Sequence, residues 1–247
     1  MPFLFLSPST QEYNPYITTG NEEYWMNQLT DRMIPWLEAS GINVSRNDPA
    51  GTVGTSIRLS NSGRYDFHLA LHSNASAPQN SGQQTGIELY YFPGSADGLR
   101  MASILVDNLK QVYPQPEKVR ALPTTNLVEL RRTRAPAVLA ELGYHDNLQD
   151  AQWIENNLDP IARSLVTAVT EYFGLPLLSP SPARAAVVST QGGGLNLRGA
   201  PVLTAPVLQK IPNNASVEVL GEYNGWYTVR YQGLVGYVKG NYLTFLS

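Results

Sequence analysis

The stretch APAVLAELGY, residues 135–144, constrains the fold more than any other part of this chain. It is an almost unbroken apolar run closed by a carboxylate. A strand with one wet face alternates apolar and polar residues, whereas a run apolar at nearly every position is typical of a central strand covered on both faces. The segments around it supply the covering layers. FLFL at 3–6 reads as a buried strand. A helix over about 22–40 follows, with Asn21 as its N-cap and Gly41 just past its end. Met26, Leu29, Met33 and Trp36 give that helix an apolar stripe, and Pro35 is expected to kink it. INVSR at 42–46 alternates as a strand, and residues 53–62 form a short helix. A strand then covers 65–72, a polar loop 76–85, and the strand GIELYYF 86–92. A helix over 95–112 carries Met101, Leu105 and Leu109 on one side, and a last helix spans about 159–173. Strands alternating with helices predict an α/β three-layer domain with a mainly parallel sheet.

The texture changes after residue 177. LSPSPARAA at 178–186 is a proline-rich linker, semi-extended by composition. Beyond it, short apolar strands are separated by Gly, Asn and Pro turns, with Asn224-Gly225 as a hairpin signal. The predicted organisation is an α/β domain over 1–177, a linker over 178–186 and a small all-β barrel over 187–247. Trp226 reads as part of the barrel core.

Composition removes several classes of function. The net charge is −3, without the basic balance that nucleic-acid binding usually shows. The absence of cysteine rules out disulfides, thiolate nucleophiles and thiolate-held zinc. Any transition-metal site must use His, Asp, Glu or weaker oxygen donors. MPFLFLSPST is too short for a signal-peptide core and lacks a basic start, so it is expected to be a first strand rather than an export signal. No stretch is long enough to span a membrane.

Two of the three histidines fall in YDFHLALHSNAS, four residues apart. On a helix that spacing serves one metal ion. Here Tyr65, Phe67, Leu69 and Leu71 alternate with Asp66, His68, Ala70 and His72, the period of a strand. Four residues along a strand is about 13 Å, whereas each ligand nitrogen must lie about 2 Å from a zinc ion. One ion therefore takes at most one of the two. His72 is favoured because Ser73-Asn74-Ala75 end the strand there, and open α/β sheets bind ligands at carboxyl ends of strands. His68 reads as a hydrogen-bonded group deeper in the sheet. His145 reads as a loop-capping or solvent-facing residue.

Five stretches in chain order carry a resemblance. NEEYWMNQL, GINVSRND, FHLALHSNA, GIELYYF and RRTRAPAVLAELGYHDN resemble, at sensible spacing, the zinc-dependent N-acetylmuramoyl-L-alanine amidases of bacterial cell-wall turnover, the Amidase_3 type. LNLRGAP, NGWYTVRY and GLVGYVKGNYL resemble a bacterial SH3 (SH3b) domain. The first resemblance implies a zinc ion held by Glu23 and His72, with Glu141 as catalytic acid/base and Asn74 and Arg131 as candidate substrate contacts. The family's first ligand, a histidine in a Gly-His-Gly-Gly turn, is missing. The turn here reads SPSTQEYN, which puts Thr10 at that position, with Gln11 or Glu12 as alternative oxygen donors if the loop is shifted. The two resemblances together imply a peptidoglycan hydrolase, monomeric and acting at the cell wall or outside the cell, with SH3b holding it to the wall. The missing histidine keeps a second reading open, a degenerate amidase that only binds peptidoglycan or regulates another wall protein. The retained Glu141 argues against it.

Overall fold

The protein is described over residues 2–246 from a computed structural model. The α/β part runs in the order β1 (Phe3–Pro8), α1 (Glu22–Ala39), β2 (Asn43–Arg46), α2 (Val53–Ser62), β3 (Phe67–Asn74), β4 (Ile87–Tyr91), α3 (Ala96–Leu109), β5 (Val119–Pro123), α4 (Val128–Arg132), β6 (Ala137–Tyr144), α5 (Leu148–Asn156) and α6 (Leu158–Phe173). Asn21 caps α1 as its sequence predicts, its Oδ1 accepting from Tyr24 N at 2.8 Å. The helix continues through Pro35 to Ala39. Three elements carried no clear sequence signal. β5 is an edge strand, α4 is five residues long, and α5 is nine. Each is too short or too polar to show a period.

The six strands are ordered β2-β1-β3-β6-β4-β5. The apolar run of β6 lies between β3 and β4, the central place its sequence demands. β1 pairs parallel with β3, and β3 with β6, whereas β4 is antiparallel to β6 and parallel to β5. The period of β3 separates two faces. Phe67 meets Tyr172 of α6 edge to face, and Arg100 of α3 lies over the same Tyr172 ring. On the other face Ala70, Ala137 and Leu139 pack against Leu130 of α4, and His68 reaches Ser60 of α2. Helices α3 and α6 thus cover one face and α2 and α4 the other, giving the expected three layers.

The described chain forms two compact units. One takes in residues 4–33 and 45–172; the other takes in residues 2–3, 34–44 and the chain from 173 onward. The second unit contains a seven-stranded sheet of β7 (Arg184–Val188), β8 (Leu195–Arg198), β9 (Val207–Ile211), β10 (Ser216–Tyr223), β11 (Trp226–Tyr231), β12 (Leu234–Lys239) and β13 (Leu243–Phe245). Its order is β13-β7-β10-β11-β12-β8-β9, with antiparallel pairings throughout. Asn224 and Gly225 join β10 to β11 with φ of 48° and 76°, the left-handed pair that a type I′ hairpin needs. Val188, Leu197, Ile211, Val229 and Val238 are among its fully buried core, and Trp226 is buried as expected. Residues 34–44 join this unit through specific bonds. Asn43 exchanges side-chain hydrogen bonds with the backbone of Val235 (3.0 and 2.9 Å), and Tyr237 OH donates to Ser40 O (2.7 Å).

Candidate active site

Three strands of the first unit bring one acidic or basic side chain each to a common row. His72 of β3 pairs with Glu141 of β6, and Glu141 pairs with Glu88 of β4. The row ends in a bulge, because the β3–β6 register shifts after His72 and Glu141. Gly143 makes the bulge possible at φ +100°. A Cβ there would also stand 3.2 Å from the Asp150 carboxylate. That carboxylate holds the turn together by accepting from Tyr144 N, Gly86 N and Tyr113 OH.

The loop after β1 and the start of α1 bring the remaining groups. Glu22 is buried and sits against His72, with Oε1 2.8 Å from His72 Nδ1. Its other oxygen accepts from Asn14 Nδ2 at 2.7 Å. The Gln11 side-chain amide lies 3.4 Å from both Glu22 Oε1 and His72 Nδ1. On the opposite edge of the ring, His72 Nε2 lies 3.4 Å from Glu129 Oε2. Gln11, His72 and Glu129 line a cleft of about 340 Å³ with Ser7, Thr10 and Glu141, and Glu22 is buried behind the His72 ring.

The charges are set by burial and by one another. Burial disfavours a charged His72, but hydrogen bonds that the ring donates to Glu129 and Glu22 reverse that and hold its pKa well above its ordinary value. Burial likewise raises Glu22 and Glu129, yet contacts with His72 for Glu22, and with His68 and His72 for Glu129, leave both carboxyls below the usual range. Glu141 is different. Burial pushes it up to about 7, the nearby His72 charge opposes this, and the carboxylates of Glu22, Glu88 and Glu129 add to the rise. Its Oε2 is buried without a hydrogen-bond partner among the described residues.

Several sequence expectations change here. Glu22, not Glu23, reaches His72. Glu23 is turned aside and accepts from Asn27 Nδ2 at 3.2 Å. The reason lies in the stripe of α1: Met26, Leu29 and Met33 are fully buried, and one turn back along that stripe is Glu22. Glu23 lies about 100° round the helix. Of the three residues considered for the missing histidine, Gln11 reaches Glu22 and His72, Thr10 lines the cleft and Glu12 is exposed. Arg131 is exposed on α4, because Glu129 and Leu130 take the inward face; it does not line the cleft. Asn74 donates to Glu88 Oε2 at 3.2 Å, a strand-end contact beside the row. His145 is buried rather than solvent-facing: its Nδ1 is 2.9 Å from Ser73 O and its ring stacks on Tyr16. Glu129 escaped sequence reasoning altogether. The only signal was a glutamate in a short segment whose helical phase could not be read.

The model of the N-acetylmuramoyl-L-alanine amidase family, Amidase_3, matches residues 13–171. The chain belongs to this amidase family. A bacterial SH3 domain matches residues 193–244. The chain is 31% identical over 118 residues to the N-acetylmuramoyl-L-alanine amidase CwlM of Bacillus licheniformis, a match covering 47% of this chain and 44% of that relative. This chain therefore spans less than half the length of that curated relative. The fold is similar to the catalytic domain of the amidase CwlV from Bacillus (Paenibacillus) polymyxa var. colistinus. That structure has a TM-score of 0.60 at 18% identity, over 71% of this chain and all of that one. It is also similar to the amidase from Clostridium difficile 630, with a TM-score of 0.59 at 22% identity over 70% and 97% of the two chains.

Amidases of this family are generally zinc-dependent, so the donors of this chain can be tested against that ion. Among the described residues, no three His, Cys, Asp or Glu side chains are grouped to hold a metal. Glu22 and His72 offer two strong donors, and the Gln11 amide lies beside both. The three contacting atoms are 2.8, 3.4 and 3.4 Å apart. Ligands about 2.0–2.1 Å from a tetrahedral zinc are separated by roughly 3.3 Å. Turning the Gln11 amide over puts its carbonyl oxygen, an acceptor, where its nitrogen now points. The set thus fits a divalent ion held by one carboxylate, one imidazole and one neutral oxygen, a weaker set than two histidines and a glutamate.

Proposed function

We propose that this chain hydrolyses the amide between the lactyl group of N-acetylmuramic acid and the L-alanine of the stem peptide. Glu22, His72 and the Gln11 amide hold a zinc ion, and Glu141 moves the proton. The observation that carries this reading is Glu141 itself, a carboxyl lining the cleft with one buried oxygen that has no hydrogen-bond partner among the described residues; burial pushes its pKa up to about 7.

When bound, zinc supplies Lewis acidity toward water and toward the scissile carbonyl. The chain's own residues do the rest. Glu141 accepts a proton from the attacking water. It then returns that proton to the leaving amide nitrogen, which makes it a good leaving group. A pKa near the working pH suits both directions of transfer. Glu22 is steadied by Asn14 and by the Ser73 N–H, so its carboxylate is fixed before any ligand arrives.

The SH3 unit holds the chain on peptidoglycan and raises its local concentration at the wall, which places the activity at the cell wall or outside the cell. A groove of about 310 Å³ on that unit is lined by Arg198, Trp226, Lys239 and Tyr242, with Lys239 Nζ 4.7 Å above the Trp226 ring. It is the surface this role would use.

Clearing of purified wall suspensions tests the reading. The zinc-supplemented protein should clear them, and Glu141→Gln should slow clearing by about 10²–10⁴-fold while still pelleting with the walls. Unchanged clearing by the variant would overturn the role of Glu141. A second reading, wall binding without hydrolysis, is favoured by Gln11 in the place of a histidine; wild-type protein that pellets with walls but never clears them would establish it.

A further inference from the structure

His68 and His72 are too far apart along β3 to share an ion, yet one side chain joins them. Glu129 projects from α4 and is buried. Its Oε1 accepts from Ser7 Oγ at 2.6 Å and lies 3.1 Å from His68 Nε2. Its Oε2 lies 3.4 Å from His72 Nε2. Behind it, His68 is fully buried, stacked on Phe5 and 3.0 Å from Ser60 Oγ through Nδ1. Ser60, His68, Glu129 and His72 therefore form one chain of polar contacts from α2 to the cleft.

The two nitrogens of His72 have different surroundings. Nδ1 faces Glu22 and Gln11, the donors of the proposed ion site. A ligand nitrogen must offer a lone pair, so the ring proton must then sit on Nε2. The group that accepts it is Glu129. A carboxylate behind a ligating histidine fixes the ring's orientation and tautomer and raises its donor strength. Ser7 and His68 in turn hold the other carboxylate oxygen, Oε1, and so anchor Glu129 while Oε2 meets His72.

We propose that Glu129, anchored by Ser7 and His68, is a positioning residue that locks the His72 ring with its proton on Nε2 and Nδ1 turned to the ion site. This rests on the reading of Glu22, Gln11 and His72 as that site. A ring locked from behind offsets part of what is lost when the third donor is a neutral amide.

The test is zinc affinity, measured by competition with a chromogenic chelator on the full chain and on Glu129→Gln, with ¹⁵N–¹H imidazole spectra of the zinc-loaded wild type. The expected result is affinity lower by about 10–100-fold in the variant, together with a wild-type His72 protonated on Nε2 and bound through Nδ1. Affinity within threefold of wild type, even with a lowered melting temperature, would show a merely structural carboxylate and overturn the proposal. A His72 bound through Nε2 would overturn it without any variant, so a Glu129→Gln chain that fails to fold leaves the test intact. Wild-type protein that takes up no zinc would instead overturn the ion site, and this proposal with it; the two failures are told apart by the wild-type titration alone.

Discussion

Glu141 is held at a cost that pH exposes. In the unfolded chain its carboxyl ionises in the ordinary range, near 4.3, whereas in the metal-free folded chain it keeps its proton up to about 7. A carboxyl whose pKa is raised by folding contributes stability that is complete below the unfolded pKa and is lost as pH rises through the folded one. Glu141→Gln has no proton to lose. Relative to wild type, the metal-free variant should therefore gain stability between pH 5 and pH 8, by up to roughly 3 kcal/mol. Urea unfolding at the two pH values measures this, and a difference that does not change with pH would contradict it. The same scale shows what a sequence conceals. His72 and Glu141 could be read from a strand end and from a carboxylate closing an apolar run. Glu22 could have been chosen over Glu23 by running the Met26, Leu29 and Met33 stripe back one turn. Glu22→Gln should accordingly weaken zinc uptake far more than Glu23→Gln, by metal content after desalting; equal effects would contradict the placement.

The elements with strong periods were legible, and those without were not. β6 declared its central place because both of its faces are apolar, and β3 declared its two faces by alternation. The five residues of α4 have no period to read, yet this element delivers Glu129 to the two histidines. Its position depends on Leu130 meeting Ala70, Ala137 and Leu139, a contact set by residues distant in sequence. The bulge after Glu141 belongs to this scale too. Gly143 lies in the left-handed region and faces Asp150, so Gly143→Ala combines backbone strain with crowding. It should cost at least about 1–2 kcal/mol, read as a lower urea midpoint. It should also slow hydrolysis, because the bulge fixes where β6 releases Glu141 into the cleft. Full activity with unchanged stability would contradict this view of the turn.

For the molecule as a whole, the change of texture near residue 178 was plain in the sequence, but the membership of residues 34–44 in the second unit was not. That membership is made by side-chain to backbone bonds, Asn43 with Val235 and Tyr237 with Ser40, which leave no local pattern. A chain ending at residue 177 would lose Val235 and Tyr237, and with them three native hydrogen bonds to Asn43 and Ser40, each worth about 0.5–1.5 kcal/mol net. Its melting temperature should fall below that of the full chain, and an identical value would contradict the role of these bonds. The central claim is that the whole chain cuts one bond, the amide to L-alanine. The most direct test is end-group analysis of purified peptidoglycan digested with the zinc-loaded full chain. New amino-terminal alanine, absent after digestion with Glu141→Gln, is the predicted result; digestion that exposes other amino termini or new reducing sugars, or walls that bind the chain and gain no new ends, would contradict it.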